Sequence, residues 1–326
     1  MQIFAMDPDS GRLAKTDEFG LGRPGCPVCT DPQRKFLYVG AWQGETAGIL
    51  SFVIDPDSGG LTRIGEVPLE GNACFLSTDR TGRFLLAAYY PGAMATVHRI
   101  GEDGAVVDPQ VDKQPAAMGA HWIGTDLSNS LAFVPCVAAS NCIYQFAFDA
   151  GSGRLVSNAT TPRLACPEGY GPRHMVWHPN LDVVYADNEQ HSSVSVYRID
   201  RSAGTLTEEQ TVSTLPAEGH EDNTNAQIAI HPHGRFVYAS NRGHDSIAMF
   251  AVDAASGHLS ALGQQASEPM PRCLGMEAQG RMLFAAGDQS NRLVSYQIGG
   301  DGLLQPTGDI HDLGCSPGWV LPVTVG

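Results

Sequence analysis

A repeat of roughly fifty residues runs through the whole chain and limits its fold more than any other feature. Each copy begins with an apolar run, crosses a polar turn that usually contains Gly or Pro, and returns in a second apolar run. A third run follows and ends in a turn with Gly, as in residues 171–200, GPRHMVWHPNLDVVYADNEQHSSVSVYRID. Such a repeat, with about four strands per copy, is typical of a β-propeller. The seven first runs begin near Cys26, Cys74, His121, Arg173, Ala226, Arg272 and Gly318.

The two ends of the chain carry complementary parts of one copy. Residues 2–6 and 13–16 resemble a third and a fourth strand, whereas residues 319–325 resemble a first strand. We therefore predict an all-β, seven-bladed β-propeller that forms a single domain over residues 1–326. Pairing of the N- and C-terminal strands in one blade closes the ring and leaves no open sheet edge. No run in the sequence is an obvious second strand for that blade.

The charge and the hydrophobic pattern exclude several classes of protein. The net charge is −15, from 35 acidic and 20 basic residues, and such a surface repels phosphate backbones, so we expect no nucleic-acid partner. No apolar run approaches the ~18 residues of a membrane span, and the first residues do not form a signal peptide. We expect a cytoplasmic protein without membrane contact. A closed propeller needs no partner to satisfy its edges, which predicts a monomer or a weak homo-oligomer.

No segment predicts a metal site. Cys26 and Cys29 form one CxxC without a second pair, and the eight cysteines are expected to be reduced thiols used in packing. Residues 55–66 partly match a calcium loop, but they connect strands instead of helices. The acidic, histidine-containing loop at residues 217–225 can contact a ligand or a cation, although a solvated loop is the simpler interpretation.

Polar residues placed on the repeat predict a functional site. Arg173 precedes a first strand and Glu189 follows the second, so both side chains should emerge at the same end of their hairpin. His121 and Arg272 occupy the position of Arg173 in their own copies, and Arg242 lies close to the position of Glu189. We expect all five to face one end of the central channel. Two asparagines at the ends of second strands are also predicted to bind substrate: Asn188 and Asn241.

Four segments around these residues resemble motifs of one known family. They are GAHW around His121, GPRHMVWHPN with Arg173, DNEQHSSVSVY with Glu189 and YASNRGHDSIAMF with Arg242. They look like motifs of the seven-bladed propeller lactonases, which include bacterial propeller-type 6-phosphogluconolactonases and fungal carboxy-cis,cis-muconate lactonising enzymes. The resemblance covers essentially the whole chain, but family members usually begin one strand earlier. It implies that these four residues form the active site and that no metal or organic cofactor is used.

The chemistry of these residues is compatible with that implication. Lactone hydrolysis needs a base for water and positive charge at the developing oxyanion. Glu189 or His121 can be the base, and Arg173 is a candidate oxyanion donor. Arg242 and Arg272 can hold a phosphate or a carboxylate through paired hydrogen bonds. We expect Arg173 and Glu189 to lie at a solvent-filled channel mouth and to contribute little to stability.

The resulting functional prediction is a sugar lactone hydrolase that acts on a small anionic lactone. Hydrolysis of 6-phosphogluconolactone in the pentose phosphate route is the first choice. A muconate-type cycloisomerase is the alternative, since it would use arginines to hold two carboxylates. A non-enzymatic propeller that binds protein partners has less support, because the signatures of WD-type repeats are absent.

Overall fold

The computed structural model describes residues 1–325, so the last residue of the predicted domain, Gly326, lies outside the described part. Within it the chain forms 27 β-strands and one three-residue 3₁₀ helix, Ala138–Ser140. Among these residues no helix has the length and hydropathy needed to cross a lipid bilayer. The prediction of an all-β protein is confirmed.

Strands that are neighbours in the sequence pair as antiparallel sheets. The chain begins with a two-stranded sheet of β1 (Gln2–Met6) and β2 (Leu13–Glu18). The first four-stranded sheet consists of β3 (Gly25–Thr30), β4 (Phe36–Gln43), β5 (Thr46–Ile54) and β6 (Leu61–Leu69). The next consists of β7 (Phe75–Thr78), β8 (Phe84–Tyr89), β9 (Met94–Ile100) and β10 (Val106–Pro115). A five-stranded sheet follows, with β11 (Gly124–Thr125), β12 (Leu131–Cys136), β13 (Cys142–Asp149), β14 (Arg154–Ser157) and β15 (Arg163–Ala165).

Three further four-stranded sheets complete the described chain. The first contains β16 (Pro172–Trp177), β17 (Val183–Asn188), β18 (Ser193–Asp200) and β19 (Thr205–Ser213). The second contains β20 (Thr224–Ile230), β21 (Phe236–Arg242), β22 (Ser246–Val252) and β23 (Leu259–Ala266). The third contains β24 (Pro271–Met276), β25 (Met282–Gly287), β26 (Arg292–Ile298) and β27 (Leu304–Asp312).

The turn between the first and second strands of each larger sheet is held by one side-chain acceptor. In the second of these sheets, Asp79 Oδ1 accepts the backbone N–H groups of Arg83 and Phe84 at 2.8 and 2.9 Å. His178 does the same through Nδ1 for Asn180 and Leu181. Such bonds satisfy backbone donors that the turn would otherwise leave unpaired. The six acceptors are Asp31, Asp79, Asp126, His178, His231 and Glu277.

Apolar side chains fill the space between successive sheets. One cluster joins Phe84 and Val97 to Val134 and Phe146, and comparable clusters lie between the other neighbours. The first strand of one sheet also forms hydrogen bonds to both neighbouring sheets. In β7, Ser77 Oγ donates to Ile123 O, next to β11 of the following sheet, at 2.8 Å, and Thr78 Oγ1 donates to Thr30 O of β3 in the preceding sheet at 3.1 Å. Sheets that pack face to face with their first strands innermost form a propeller.

The two chain ends meet between the first and last of the six larger sheets. β1 and β2 confirm the predicted N-terminal strands. Residues 319–325 carry no assigned strand in the described structure. Their side chains nevertheless pack with the N-terminal sheet, since Val320 joins Met6 in one apolar cluster and Val323 joins Met1 in another.

Candidate active site

Irregular strand pairing aims side chains at the centre of the propeller. In the β16–β17 pair, Pro172 lies opposite Asn188 and Met175 lies opposite Ala186, so two residues, Arg173 and His174, face the single Asp187. A bulge of this kind bends the strand and re-aims its side chains. The β3–β4, β20–β21 and β24–β25 pairs shift at the same place. The repeat therefore places polar side chains at matching positions around the axis.

Two adjoining cavities occupy this centre. The inner one has a volume of about 210 Å³ and receives residues from all six larger sheets or the loops that enter them, so it lies on the propeller axis. The outer one has a volume of about 260 Å³. Four residues line both cavities: Cys74, His121, Arg173 and Arg272. The outer cavity adds Tyr90, Glu189 and Arg242.

The structure thus brings together five residues that the repeat placed at one end of the channel. Arg173 Nε lies 2.8 Å from Glu189 Oε2, although its N–H is not aligned for a hydrogen bond. Arg242 Nη2 lies 3.1 Å from Glu189 Oε1 and also donates to Asn225 O at 2.8 Å. Each carboxylate oxygen of Glu189 therefore faces its own guanidinium.

The expected exposure of this pair is wrong for Arg173. Its side chain is only 3% exposed, whereas that of Glu189 is 19% exposed. Burial lowers the pKa of Arg173, and the nearby carboxylates of Glu189 and Asp187 oppose that effect. Removing one partner of a buried ion pair typically costs ~3–5 kcal/mol. We therefore expect substitution of Arg173 to lower the stability of the protein as well as to change the cavity wall.

Arg272 differs from the other two arginines. Within residues 1–325 it forms no ion pair and no side-chain hydrogen bond, although it lines both cavities and is half-buried. Its charge is therefore available to an anion that enters the cavity.

His121 forms a pair with a second histidine. Its Nδ1 lies 3.2 Å from Nε2 of His174, and that same nitrogen lies 3.4 Å from Arg173 Nη1. Burial, together with the charge of Arg173, keeps the pKa of both histidines well below the usual value. Both imidazoles are neutral at pH 7, so His121 can accept a proton.

Asp187 binds the backbone of His174, one member of this pair. Its Oδ1 accepts the backbone N–H of His174 at 2.7 Å, and its Oδ2 has no hydrogen-bond partner in the described structure. Burial raises the pKa of Asp187 to about 6, against the opposing charge of Arg173. The carboxyl group anchors the bulge that positions Arg173 and His174.

The two predicted asparagines do not line either cavity. Asn188 is fully buried and donates to Ser193 Oγ and Ser195 Oγ at 2.9 and 2.8 Å. Asn241 donates to Thr214 O at 2.9 Å within a buried polar network. Contact of Asn188 or Asn241 with a substrate stays a prediction.

Several cavity residues were missed by reasoning from the sequence. His174 directly follows Arg173, but a regular strand would have turned the two side chains to opposite faces. Only the bulge aims both at the centre. Gln227 lies at the equivalent bulge of β20, and the other missed residues come from loops or strand ends without a recognisable pattern: Trp42, Asn72, Tyr90 and Trp319.

The cysteines at the cavity are neutral thiols. Burial raises the pKa of Cys26 to about 11 and that of Cys74 to about 12. Neither is a thiolate at neutral pH, so neither is a ready nucleophile. All eight cysteines, within residues 1–325, are free.

Comparison with known proteins identifies the family. Residues 1–322 match the sequence profile described as "Lactonase, 7-bladed beta-propeller". The chain belongs to the seven-bladed β-propeller lactonase family. The chain is 34% identical over 238 residues to a 6-phosphogluconolactonase of Pectobacterium carotovorum, which covers 72% of this chain and 69% of the relative. It is 35% identical over 234 residues to a 6-phosphogluconolactonase of Erwinia tasmaniensis, with coverages of 71% and 68%.

Solved structures agree with this lactonase fold. The periplasmic gluconolactonase of Pseudomonas aeruginosa superposes with a TM-score of 0.83 at 22% identity, covering 97% of this chain and 93% of the other. A protein of Bacteroides fragilis superposes with a TM-score of 0.86 at 22% identity, covering 98% and 92%. At this level of identity the likeness establishes the propeller fold. The predicted family resemblance is confirmed.

Proposed function

We propose that this lactonase hydrolyses 6-phosphogluconolactone to 6-phosphogluconate. Relatives named 6-phosphogluconolactonase align with about 70% of this chain and about 70% of their own length. The observation that carries the proposal is the state of Arg272, a cation of the cavity wall that has no counter-ion within residues 1–325. A phosphate dianion is a suitable partner, because guanidinium binds phosphate oxygens through two parallel hydrogen bonds.

The same observation argues against a substrate with two carboxylates. Such a substrate needs two available cations, but both other arginines already face Glu189. A muconate would have to displace Glu189 from Arg173 or Arg242. One free arginine favours a substrate with one strongly anionic group at a distance from the reacting centre.

His121 is the proposed general base. It is neutral, and within residues 1–325 no protein group hydrogen-bonds its Nε2. Both oxygens of Glu189, by contrast, lie against arginines. His121 removes a proton from water as the oxygen attacks the lactone carbonyl carbon, and Arg173 stabilises the oxyanion. When the ring C–O bond breaks, the protonated His121 returns its proton to the leaving alkoxide.

The inner cavity supplies the remaining contacts for a polyhydroxylated ring. Asn72, Gln227 and Trp42 lie in its wall, together with Trp319. Amide groups can bind sugar hydroxyls, and aromatic rings can cover the apolar face of a sugar. Glu189 holds Arg173 and Arg242 in place without contacting the reacting atoms.

The direct test is a substrate panel assayed with purified protein. The panel contains 6-phosphogluconolactone, gluconolactone without phosphate, and a carboxymuconate, and spontaneous ring opening is subtracted from each rate. The expected order of kcat/KM places the phosphorylated lactone first. Arg272→Gln should raise KM for that substrate and leave KM for gluconolactone nearly unchanged, whereas His121→Gln should lower kcat by ~10²–10⁴. Preference for the muconate would refute the proposal.

We also propose that the chain forms one closed, seven-bladed domain over residues 1–326. In this arrangement β1, β2 and residues 319–325 make the seventh blade. Gly318 supports it, because a Cβ at this position would lie 2.9 Å from the Cβ of Cys26, at the inner edge of the first four-stranded sheet. The side chain of Gln2 also donates to Leu313 O at 2.9 Å. Protection of the amides of Val320, Leu321 and residues 323–325 from hydrogen exchange would support the blade, and fast exchange would oppose it.

A cytoplasmic enzyme that is a monomer or a weak homo-oligomer, without nucleic-acid or membrane partners, completes the proposal. A phosphorylated sugar lactone is too polar to cross a bilayer unaided. Eight free cysteines suit a reducing compartment. Cell fractionation tests the location, and size-exclusion chromatography with light scattering tests the oligomeric state. The periplasmic location of the Pseudomonas gluconolactonase makes fractionation the more informative of the two.

A further inference from the structure

We propose that His174 is a positioning residue that fixes His121 in the tautomer with its proton on Nδ1. The free lone pair of His121 is then on Nε2, where it can accept a proton from water. This inference rests on the proposed role of His121 in lactone hydrolysis. It assigns a function to a buried histidine that does not itself take part in the proton transfer.

The argument begins with the hydrogen-bonding capacity of arginine. A guanidinium group carries only donors, so Arg173 Nη1 must donate to His174 Nε2 across their 3.4 Å separation. That nitrogen is therefore unprotonated, and the proton of the neutral His174 ring is on Nδ1. If the proton were on Nε2, it would point at the hydrogens of the guanidinium.

The tautomer of His121 follows from that of His174. His121 Nδ1 lies 3.2 Å from the same Nε2 atom. Since this atom is an acceptor, His121 Nδ1 must be the donor and carry the ring proton. The two long donor–acceptor distances are those expected when two donors share one lone pair.

His174 is held rigidly enough to impose this choice. Its backbone N–H is bonded to Asp187 Oδ1 at 2.7 Å, and its side chain is 4% exposed. The ring packs edge-on against Phe75, with centroids 5.1 Å apart, and lies tilted against Trp319 at 6.1 Å. A fixed acceptor selects one tautomer of its partner, in the way that a fixed carboxylate does in a catalytic triad.

The position of His121 agrees with this assignment. Its backbone N–H donates to Pro135 O at 3.0 Å, which fixes the start of the side chain. Tyr90 meets the ring edge-to-face at 5.8 Å from the outer cavity. With Nδ1 directed at His174, the opposite nitrogen is the one that remains for water and substrate.

The first measurement observes the tautomer directly. The protein contains 11 histidines, and ¹⁵N-histidine spectra of the wild type and of His121→Gln identify the His121 signals by difference. Two-bond ¹⁵N–¹H couplings distinguish a proton on Nδ1 from a proton on Nε2. The expected result for the wild type is a His121 ring with its proton on Nδ1. A His121 ring protonated on Nε2 would overturn the proposal, whatever the substrate proves to be.

The second measurement uses two substitutions of His174. His174→Gln keeps an acceptor, since the amide oxygen can receive both donors, and kcat should stay within a few-fold of the wild type. His174→Leu removes the acceptor, and kcat should fall by about 10–10²-fold with KM nearly unchanged, because the base spends less time in the competent tautomer. Equal kcat values for Leu and Gln would contradict the positioning role.

A matched control separates positioning from stability. His98 is another buried histidine, 1% exposed, and its Nε2 forms a hydrogen bond with Thr96 Oγ1 at 2.9 Å, away from both cavities. His98→Leu should lower the melting temperature to a similar extent and leave kcat unchanged. If His174→Leu does not fold, the wild-type spectrum and His174→Gln still decide the matter. A wild type without lactonase activity would remove the proposed function but leave the tautomer result standing.

Discussion

Replacing Asp187 by asparagine should stabilise the protein at neutral pH. Asp187 is completely buried, and only one of its two oxygens has a hydrogen-bond partner in the described structure. Asparagine has nearly the same shape, and its side-chain oxygen can still accept the N–H of His174. The substitution therefore removes a buried charge and keeps the contact that anchors the bulge.

The magnitude follows from the pKa of Asp187. Burial raises this pKa from 3.8 to about 6. Each pH unit of difference between the folded and unfolded values corresponds to ~1.4 kcal/mol, so ionising Asp187 in the folded protein costs roughly 3 kcal/mol at neutral pH. The attraction of Arg173 is already included in this difference. We expect Asp187→Asn to recover up to about that amount.

The sign of the pH dependence is fixed by the same argument. Because the folded pKa is the higher one, the folded state binds more protons between pH ~4 and pH ~6. The contribution of Asp187 to stability is complete at low pH and is lost as the pH rises through 6. The advantage of Asp187→Asn should therefore be about a third of its full value near pH 4.5, grow up to about pH 6.5, and remain nearly constant above it.

Urea denaturation at several pH values between 4.5 and 7.5 measures this difference. Asp126→Asn is the matched control, since Asp126 is also fully buried. Burial alone would raise the pKa of Asp126, but hydrogen bonds from Ser128 and from the backbone of Leu131 bring it below the usual value. Because the folded pKa of Asp126 is the lower one, Asp126→Asn should destabilise the protein by a nearly constant amount over this pH range, and by less only below pH ~4. A destabilised Asp187→Asn at pH 7.5, or a pH-independent difference, would refute the reasoning.

Three further outcomes are expected. Glu189→Gln and Arg173→Lys should each reduce kcat/KM, and the double variant should be little worse than the worse single variant, because both residues belong to one ion pair. Additive losses of activation free energy in the double variant would show that the two residues have separate roles. In the pH profile, the acid limb of kcat/KM should lie well below pH 6.5, because burial and the charge of Arg173 lower the pKa of His121. The acid limb of kcat should lie at higher pH, because a bound phosphate offsets the positive charge of the arginines. A kcat/KM limb at or above pH 6.5 would exclude His121 as the base. Activity should persist after dialysis against EDTA, since residues 1–325 contain no group of three or more His, Cys, Asp or Glu side chains placed to hold a metal; loss on chelation with recovery on metal addition would contradict this.

The sequence alone determined the strands and the ends at which charged side chains emerge. Side-chain alternation and turn residues are local signals, so residues 171–200 identified β16, β17 and β18 correctly. The antiparallel reversal then placed Arg173 and Glu189 together, and the observed ion pair confirms it. The repeat extended this reasoning to His121, Arg242 and Arg272, because copies of one unit around an axis point equivalent positions at the same centre.

Only the tertiary structure decided which of these groups are free and which are occupied. Arg242 and Arg272 are equivalent as residue types, but in the described structure Arg242 reaches Glu189 and Arg272 does not, because the sheet of Arg242 packs directly beside the sheet of Glu189. The contact of His174 with His121 spans 53 positions and requires a bulge that no local pattern announces. Burial likewise sets the pKa values of His121 and Asp187, because desolvation depends on every neighbour that excludes water. Strand periodicity is encoded over a few residues, whereas cavity chemistry arises where all the blades meet.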